Sequence, residues 1–410
     1  MNVFHVCGWR SVATSVIAAS ILILGCTAAP PRMNPLPGNL AEQAHIPDMP
    51  PDVRMWADQA PPLVEYWLNA PDDQVRTRLG GIMDREHDYL AISGGGSNGA
   101  FGAGLLYGWT QSGTRPQFEF VTGISTGGLM APFAFLGPEY DQKLKEVYTS
   151  YSTENLIVER SYLDIVRNDA IADTAPLRAL IARYVDEKMM HAIATESRKG
   201  RRLFIGTTNL DAARPVMWNV GEIAEVGTAQ ALKLIHDIML ASASIPGAFP
   251  PVRIAVEANG NLYEEFHVDG GVTSQVFLYP LGLDWQRIKD KLNVKGAPKL
   301  YVIRNAYLQP DWKTVNSRLA PILGRTVDSL IRTQGIGDLV RLYFGSIRDG
   351  IEFNLASIPD DFENTSTEPF DRKYMNALFE RGRSMAAAGY PWIKDPWGLE
   401  AAARRWRPEN

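Results

Sequence analysis

Three short segments of the sequence contain residue types suited to acyl-transfer chemistry. The first is a G-x-S-x-G pattern at residues 123–127, with Ser125 at its centre. It follows an apolar run that predicts a strand and precedes a small-residue stretch that predicts a helix. The flanking glycines would allow a tight turn that presents the serine hydroxyl at the positive end of that helix, where an alkoxide is stabilised. The pattern predicts a nucleophilic serine, and a glycine-rich turn without catalysis is the alternative.

The second segment is the glycine run Gly94-Gly95-Gly96 at the start of a predicted helix. Backbone N–H groups of such a run can bind an anion, including the oxyanion of a tetrahedral intermediate. With Gly99 the run also has the G-x-G-x-x-G spacing of a dinucleotide-binding loop, and Glu119 follows at about the distance of the ribose-binding acid. That acid should end the second strand. Here the strand is predicted to end at the serine turn instead, which favours the oxyanion loop.

The third segment is Asp269-Gly270-Gly271, a carboxylate at the end of a predicted strand. No histidine follows Asp269, so the Ser–Asp–His order of the α/β-hydrolases cannot be built with this aspartate. A Ser–Asp pair remains, in which Asp269 accepts the serine proton directly. That role requires desolvation to raise the pKa of the carboxyl group. His267 lies two residues earlier on the same strand face and is the alternative base, although a lone strand histidine is more often structural.

These segments, in this order, resemble the patatin-like phospholipase family. A fourth segment, residues 241–251, resembles the A-S-x-S/A-x-P…F-P-P block that precedes the family's aspartate, and the resemblance covers roughly residues 87–280. It implies a three-layer α/β fold and hydrolysis through an acyl-enzyme, in which Ser125 attacks the ester and Asp269 takes its proton. The glycine loop Gly94-Gly95-Gly96 and the N–H of Thr126 would form the oxyanion hole. The resemblance implies no calcium, other metal or cofactor.

Four positions depart from the family pattern. Asn98 stands where the family loop usually carries Arg or Lys, and Ser93 where it often carries Asp. After the aspartate block, Gln275 and Phe277 stand where Asn and Pro are common. These differences bear on substrate details, above all on headgroup phosphate binding, more than on the Ser–Asp pair.

The order of apolar runs predicts the architecture that positions these segments. Strand-like runs alternate with helix-like ones, which is typical of a mostly parallel sheet with helices on both faces. The predicted strands are residues 89–92, 118–121, 203–208, 266–268 and 300–303, and the predicted helices are residues 100–109, 127–135, 177–184 and 229–243. Residues 63–290 are predicted to form the catalytic domain, and residues 291–410 a helical and loop extension that completes it.

The N-terminal segment resembles a bacterial lipoprotein signal. Residues 11–25 are mostly apolar, too short a run to span a bilayer, and Ile23-Leu24-Gly25-Cys26 resembles a lipobox. The resemblance predicts a signal peptide at residues 1–26, lipidation of Cys26 and, because Thr27 is not Asp, an outer-membrane location facing the periplasm. An ordinary secretory signal or a retained anchor is the alternative. The proline-rich residues 27–62 are predicted to be an extended tether.

Composition narrows the function further. The net charge is −5 with no basic cluster, which argues against a nucleic-acid partner. Both cysteines lie within the first 26 residues, so the rest of the chain has no disulfide framework or cysteine-ligated metal. The leading hypothesis is an acyl-ester hydrolase acting on membrane lipids, of phospholipase A or lysophospholipase type. The alternative is a weakly catalytic lipid-binding or envelope-assembly lipoprotein with the same fold.

Overall fold

A computed structural model gives the structure of most of the chain. It describes residues 32, 34–159, 170, 172–280, 282–310, 312, 314–366 and 368–398. The predicted signal peptide at residues 1–26, the lipidation site Cys26 and the first residues of the predicted tether lie outside the described residues.

The described part of the chain contains strands and helices in alternation. The strands are β1 (Arg54–Trp56), β2 (Asp88–Ile92), β3 (Phe120–Ile124), β4 (Val158–Glu159), β5 (Ala172–Asp173), β6 (Arg202–Asn209), β7 (Arg214–Asn219), β8 (Val252–Ala258), β9 (Asn261–Asp269), β10 (Lys299–Tyr307) and β11 (Glu352–Ile358). The helices are α1 (Pro62–Asn69), α2 (Asp72–Leu79), α3 (Gly99–Gln111), α4 (Thr126–Leu136), α5 (Asp141–Thr149), α6 (Thr153–Leu156), α7 (Ala175–Tyr184), α8 (Glu187–Arg198), α9 (Val220–Val226), α10 (Ala229–Ser242), α11 (Trp285–Leu292), α12 (Leu319–Asp349) and α13 (Arg372–Ala387).

One large sheet organises the domain. Its strands follow the order β1-β7-β6-β3-β2-β10-β11, and β9 pairs with both β6 and β8. The central neighbours from β6 to β11 are parallel, whereas β1, β7, β8 and β9 join antiparallel. Helices cover both faces. The predicted class, an α/β fold with a mostly parallel central sheet flanked by helices, is confirmed. The carboxyl ends of β2 and β3 lie side by side, which brings the glycine run and Ser125 to one edge.

Burial explains why the central strands are apolar. Leu90, Ile92 and Val121 are fully or almost fully buried, as expected for parallel strands with helices on both faces. On one of these faces α3 packs closely against α13. A Cβ on Gly104 would lie 2.0 Å from the Phe379 carbonyl oxygen, and one on Gly108 would lie 2.1 Å from that of Arg383. Glycine at both positions therefore lets the two helix backbones approach each other.

The prediction of an extended tether is wrong for the part that the structure describes. Residues 34–62 lie along the folded domain. Pro35 bridges to Glu264 and His45 to Glu257, and β1 pairs with β7 over three residues. The proline-rich composition predicts an absence of long helices, but these backbone contacts to distant strands leave no periodic pattern in the sequence. The sheet thus begins before residue 63, the predicted start of the catalytic domain.

The C-terminal part contributes two strands to the same sheet. β10 was expected from the apolar residues 300–303, whereas the prediction of only helix and loop after residue 310 missed β11. This strand carries Asn354 and Ser357 among its apolar residues, and both polar side chains are buried. Its mixed composition hides a strand that is buried along most of its length. Across the described residues, no helix is both long enough and apolar enough to cross a bilayer.

Candidate active site

Ser125 occupies a strained turn between β3 and α4. Its backbone has φ +55° and ψ −125°, a conformation that residues with a Cβ seldom adopt. The flanking glycines are required by close contacts. A Cβ on Gly123 would lie 2.2 Å from the Gly127 carbonyl oxygen, and one on Gly127 would lie 2.3 Å from that of Ile92. The predicted turn between strand and helix is confirmed, and it places Ser125 at the N-terminus of α4.

A second serine holds this turn in place. The backbone N–H of Ser125 donates to the Ser242 hydroxyl oxygen at 2.9 Å, and the Ser242 hydroxyl donates to the Gly206 carbonyl at 2.7 Å. Ser242 is fully buried and ends α10. It therefore ties the Ser125 turn to β6. The structure therefore gives this serine of the block at residues 241–251 a structural role.

Asp269 ends β9 with its carboxyl group buried beside Ser125. Its Oδ1 accepts a hydrogen bond from the Gly271 N–H at 2.7 Å, whereas Oδ2 is buried and makes no hydrogen bond of standard geometry with any described residue. Burial raises the pKa of Asp269 to about 6, although the Ser125 side chain and the Gly271 N–H act in the opposite direction. A carboxyl group with this pKa is mostly ionised at pH 7 and can still accept a proton.

The two glycines after Asp269 are explained by crowding. A Cβ on Gly270 would lie 2.7 Å from the Gly206 carbonyl oxygen. A Cβ on Gly271 would lie 2.8 Å from Nε2 of Gln275 and 2.9 Å from Oδ1 of Asp269. Side chains at these positions would displace the carboxylate or the strand beside it. The D-G-G pattern is thus explained by the close packing that orients the Asp269 carboxyl group.

Three backbone N–H groups are available for an oxyanion, two in the glycine loop and one at the start of α4. Gly96 begins the short helical turn Gly96–Asn98 and Thr126 begins α4, so neither N–H has an intrahelical acceptor. The N–H of Gly95 has no partner among the described residues. The prediction for Gly94 needs correction, because its N–H already donates to the Gln275 carbonyl at 3.1 Å. The small size of Gly94 instead lets the loop approach Ser125 closely, since a Cβ on Gly94 would lie 3.2 Å from the Ser125 Cβ.

Three side chains that the sequence did not single out as site residues support the loop and the turn. Asn305 lies near the end of β10, and its side-chain oxygen accepts a hydrogen bond from the Gly102 N–H. Its backbone N–H donates to the Ser93 hydroxyl oxygen, and its side-chain amide donates to the Ser93 carbonyl. The hydroxyl groups of Tyr148 and Thr126 lie 2.8 Å apart. Gln275 bonds the Gly271 carbonyl with its side chain at 2.7 Å. Only Gln275 had a signal in the sequence, namely its position in the block that departs from the family pattern.

His267 belongs to a separate buried network. Its Nδ1 lies 2.9 Å from the Thr207 hydroxyl and its Nε2 lies 3.0 Å from Glu265. Trp218 donates to the Thr207 hydroxyl oxygen, which leaves that hydroxyl to donate to Nδ1, and Arg54 pairs with Glu265 through two hydrogen bonds. Burial lowers the pKa of His267, which favours the neutral ring. Both ring nitrogens are occupied, so this geometry favours Asp269 over His267 as the base.

The position of Glu119 argues against a nucleotide site. Glu119 immediately precedes β3, and its carboxylate accepts the Asp88 N–H at 2.8 Å. It therefore lies at the amino ends of the strands, whereas the glycine loop lies at their carboxyl ends. Five strand residues separate the two levels, a distance of about 16 Å.

Two cavities lie near the sheet, and one borders the candidate site. It has a volume of about 360 Å³ and is lined by Ile124 and Gly270, which adjoin Ser125 and Asp269, together with Phe277 and Leu342. The other has a volume of about 180 Å³, is lined by Phe120 and Trp285 among others, and lies toward the amino ends of the strands. Among the described residues, no group of three or more His, Cys, Asp or Glu side chains is placed to hold a metal ion.

Comparison with known proteins agrees with this geometry. Residues 90–281 match the family model described as patatin-like phospholipase. The match contains Ser125, Asp269 and the glycine loop. No curated protein matches the sequence. Among solved structures, the chain is similar to VipD from Legionella pneumophila, with a TM-score of 0.35 and 11% identity over 74% of this chain and 67% of that one.

Proposed function

We propose that this protein is a serine acyl-ester hydrolase that acts on membrane lipids, of phospholipase A or lysophospholipase type. Ser125 is the nucleophile and Asp269 its base. The observation that carries the proposal is a serine in a strained turn whose side chain interacts with a buried carboxyl group, that of Asp269. The patatin-like phospholipase domain supplies the class of substrate, a lipid acyl ester.

Acylation of Ser125 is the first step. Its Oγ attacks the ester carbonyl carbon while its proton moves to Asp269. The carbonyl oxygen becomes an oxyanion, which accepts hydrogen bonds from the N–H groups of Gly95, Gly96 and Thr126. The C–O bond to the alcohol then breaks, and the proton held on Asp269 passes to the leaving oxygen. Asp269 is thereby ionised again, with the acyl chain attached to Ser125 through an ester bond.

Hydrolysis of the acyl-enzyme repeats the same steps with water. Asp269 accepts a proton from the water, whose oxygen attacks the acyl carbon, and the same N–H groups receive the second oxyanion. Collapse breaks the bond to Ser125 Oγ, which takes the proton held on Asp269, and the fatty acid leaves. Each step uses the chain's own groups only, so the proposed reaction requires neither calcium nor a cofactor.

We also propose that the N-terminus anchors the enzyme in a bacterial envelope, as a lipoprotein acylated at Cys26 and facing the periplasm from the outer membrane. The support is the apolar run at residues 11–25, which ends in Ile23-Leu24-Gly25 and is followed by Cys26 and Thr27. Metabolic labelling with a fatty-acid analogue tests this proposal. The label should enter the wild-type chain and be absent from Cys26→Ser, and equal labelling of both would overturn it.

Covalent labelling with a fluorophosphonate probe tests the catalytic proposal. The full-length wild-type protein should react with the probe, and Ser125→Ala should not. Asp269→Asn should react about 10³-fold more slowly or worse, because the serine proton then lacks its acceptor. Ser244→Ala is the matched control. Ser244 lies in the same family block, and its hydroxyl is occupied by the Leu240 carbonyl, so the variant should label like wild type.

Two outcomes would contradict the catalytic proposal. Undiminished labelling of folded Ser125→Ala would place the nucleophile elsewhere. Absence of labelling in folded wild type, together with retained binding of lipid vesicles, would favour the alternative of a lipid-binding or envelope-assembly protein with this fold.

A further inference from the structure

The N-terminal half of α12 carries an unusual set of exposed apolar side chains. The whole helix runs from Leu319 to Asp349. We call residues 319–331 the projecting segment. Its large apolar side chains are exposed by between 39% and 73%, and they are Leu319, Ile322, Leu323, Val327, Leu330 and Ile331. Trp312, shortly before the helix, is 98% exposed. Exposed apolar residues concentrated in this way mark an interaction surface.

Helical spacing groups three of the leucines on one side of the helix. With 100° of rotation per residue, Leu319, Leu323 and Leu330 fall within about 40° of one another around the helix axis. Farther along the same helix, Leu339 and Tyr343 are buried and lie on roughly the opposite side. The helix therefore packs on the domain with its second half and presents leucines outward with its first half. At about 1.5 Å per residue, the projecting segment is about 20 Å long.

The helix that carries the projecting segment is hydrogen-bonded to residues shortly after Asp269. Asp338 accepts the backbone N–H of Gln275 at 2.7 Å, and Gln334 accepts a hydrogen bond from the Gln275 side chain at 3.2 Å. Gln334 also donates to the Val272 carbonyl at 3.3 Å, next to Gly271. Val272 is itself 44% exposed. The helix that carries the projecting segment is thus hydrogen-bonded to the residues that follow Asp269.

The charge of this region fits an anionic surface. Residues 311–332 contain four basic residues, Lys313, Arg318, Arg325 and Arg332, against two acidic residues, Asp311 and Asp328, in a chain whose net charge is −5. A helix with an apolar face and basic residues beside it binds in the plane of a membrane that contains anionic lipids.

We propose that the projecting segment docks the enzyme onto a lipid bilayer that carries anionic phospholipids. The leucine face lies among the acyl chains near the headgroups, and the basic residues lie among the phosphates. The inference rests on the proposed function, because docking at this face brings the Ser125 site to the surface that contains its substrate.

A fluorophore that brightens in apolar surroundings tests the docking. The label is attached at Thr326→Cys, within the outward face, in a full-length chain with Cys7→Ser, Cys26→Ser and Ser125→Ala. The first two changes remove the native cysteines, and the third prevents lipid turnover. The matched control carries the label at Thr195→Cys, an exposed position of α8. Vesicles of phosphatidylcholine with 30% phosphatidylglycerol should brighten and blue-shift the label at position 326 and leave that at position 195 unchanged.

Three results would overturn the docking proposal. The first is an unchanged label at position 326 with these vesicles. The second is an equal response to vesicles of phosphatidylcholine alone, which would remove the role of anionic lipid. The third is brightening that depends on protein concentration without vesicles, which would assign the face to a second copy of the chain.

Turnover by a variant of the outward face separates docking from catalysis. Changing Leu319, Leu323 and Leu330 together to Gln should lower hydrolysis of vesicle phospholipid roughly 100-fold, because the burial of three leucines is lost. Hydrolysis of a short monomeric ester should stay within about twofold of wild type, since none of the three leucines takes part in the proposed catalytic steps. Equal loss with both substrates would overturn the docking role. Failure of the wild type to hydrolyse either substrate, with the vesicle response at position 326 intact, would overturn the proposed function alone.

Discussion

Strand β9 holds two buried clusters of polar groups with opposite characters. At Glu265 and His267, the side chains join Arg54, Thr207 and Trp218 in a network in which the hydroxyl, both ring nitrogens and the carboxylate all have partners. Two residues farther on, the buried carboxyl group of Asp269 interacts with the Ser125 side chain, and its Oδ2 makes no hydrogen bond of standard geometry with any described residue. Satisfied buried groups specify a structure, whereas an unsatisfied group with a shifted pKa marks a site prepared for chemistry.

This contrast extends to the backbone. The ladder between β6 and β9 is regular, with Asn209 opposite His267 and Thr207 opposite Asp269. The neighbouring β3 ends in the strained turn at Ser125, and the glycine loop beside it leaves N–H groups unused. Strain and unmet hydrogen bonds are therefore concentrated at the carboxyl ends of the strands, where the proposed reaction takes place.

The largest expected effect is a loss of folding stability when the buried network of Arg54, Glu265 and His267 is broken. Arg54→Met leaves Glu265 buried without its cation and should lower the free energy of unfolding by about 3–5 kcal/mol, as measured by chemical denaturation. The double variant Arg54→Met with Glu265→Gln also removes the unpaired carboxylate, and it should recover much of the lost free energy of unfolding. Both variants should retain ester hydrolysis at temperatures where they are folded. Loss of hydrolysis in the folded double variant would mean that the two clusters are not separate.

A smaller effect is expected when the oxyanion loop is displaced. The Cβ in Gly95→Ala would lie 2.3 Å from the Asn305 carbonyl oxygen, so the loop must move. Its N–H groups then no longer point at the oxyanion. We expect kcat/KM for a monomeric ester to fall by about 10²–10³. Gly282→Ala is the matched control, because its Cβ would meet no atom within 4 Å. Equal activity of the Gly95 and Gly282 variants would contradict the oxyanion role of the loop.

The smallest effect concerns the energetic cost of the buried aspartate. The pKa of Asp269 is raised from 3.8 to about 6 in the folded protein, so its ionisation destabilises the fold increasingly as pH rises between those values. Asp269→Asn should therefore stabilise the protein at pH 8 by at most about 3 kcal/mol. The difference should vanish at about pH 2.5, where the carboxyl is protonated in both the folded and the unfolded state. A stability difference that is the same at both pH values would show that ionisation is not its cause.

Much of this arrangement follows from local sequence. The predicted strands at residues 89–92, 203–208 and 300–303 lie within observed strands, because buried parallel strands are continuous apolar runs. The glycines around Ser125 and after Asp269 correspond to contacts that no side chain could fit. These features depend on a few neighbouring residues, and a single sequence displays them directly.

The rest depends on partners that are distant in the chain. Asn305 contacts Ser93 across 212 residues, and the docking of residues 34–62 uses backbone bridges to strands β8 and β9. The occupied N–H of Gly94 was equally hidden, because its acceptor is the carbonyl of Gln275. Periodicity and motifs do not encode such pairings, which form only when the whole sheet is assembled.

The pH dependence of fluorophosphonate labelling tests the central claim, that a desolvated Asp269 activates Ser125. The rate for the wild-type protein should rise about tenfold per pH unit below pH 6 and level off above it, with a midpoint near the pKa of Asp269. His267→Asn should keep that midpoint wherever it remains folded. A rate that is unchanged from pH 4.5 to pH 8, or a midpoint that moves with His267, would contradict the claim.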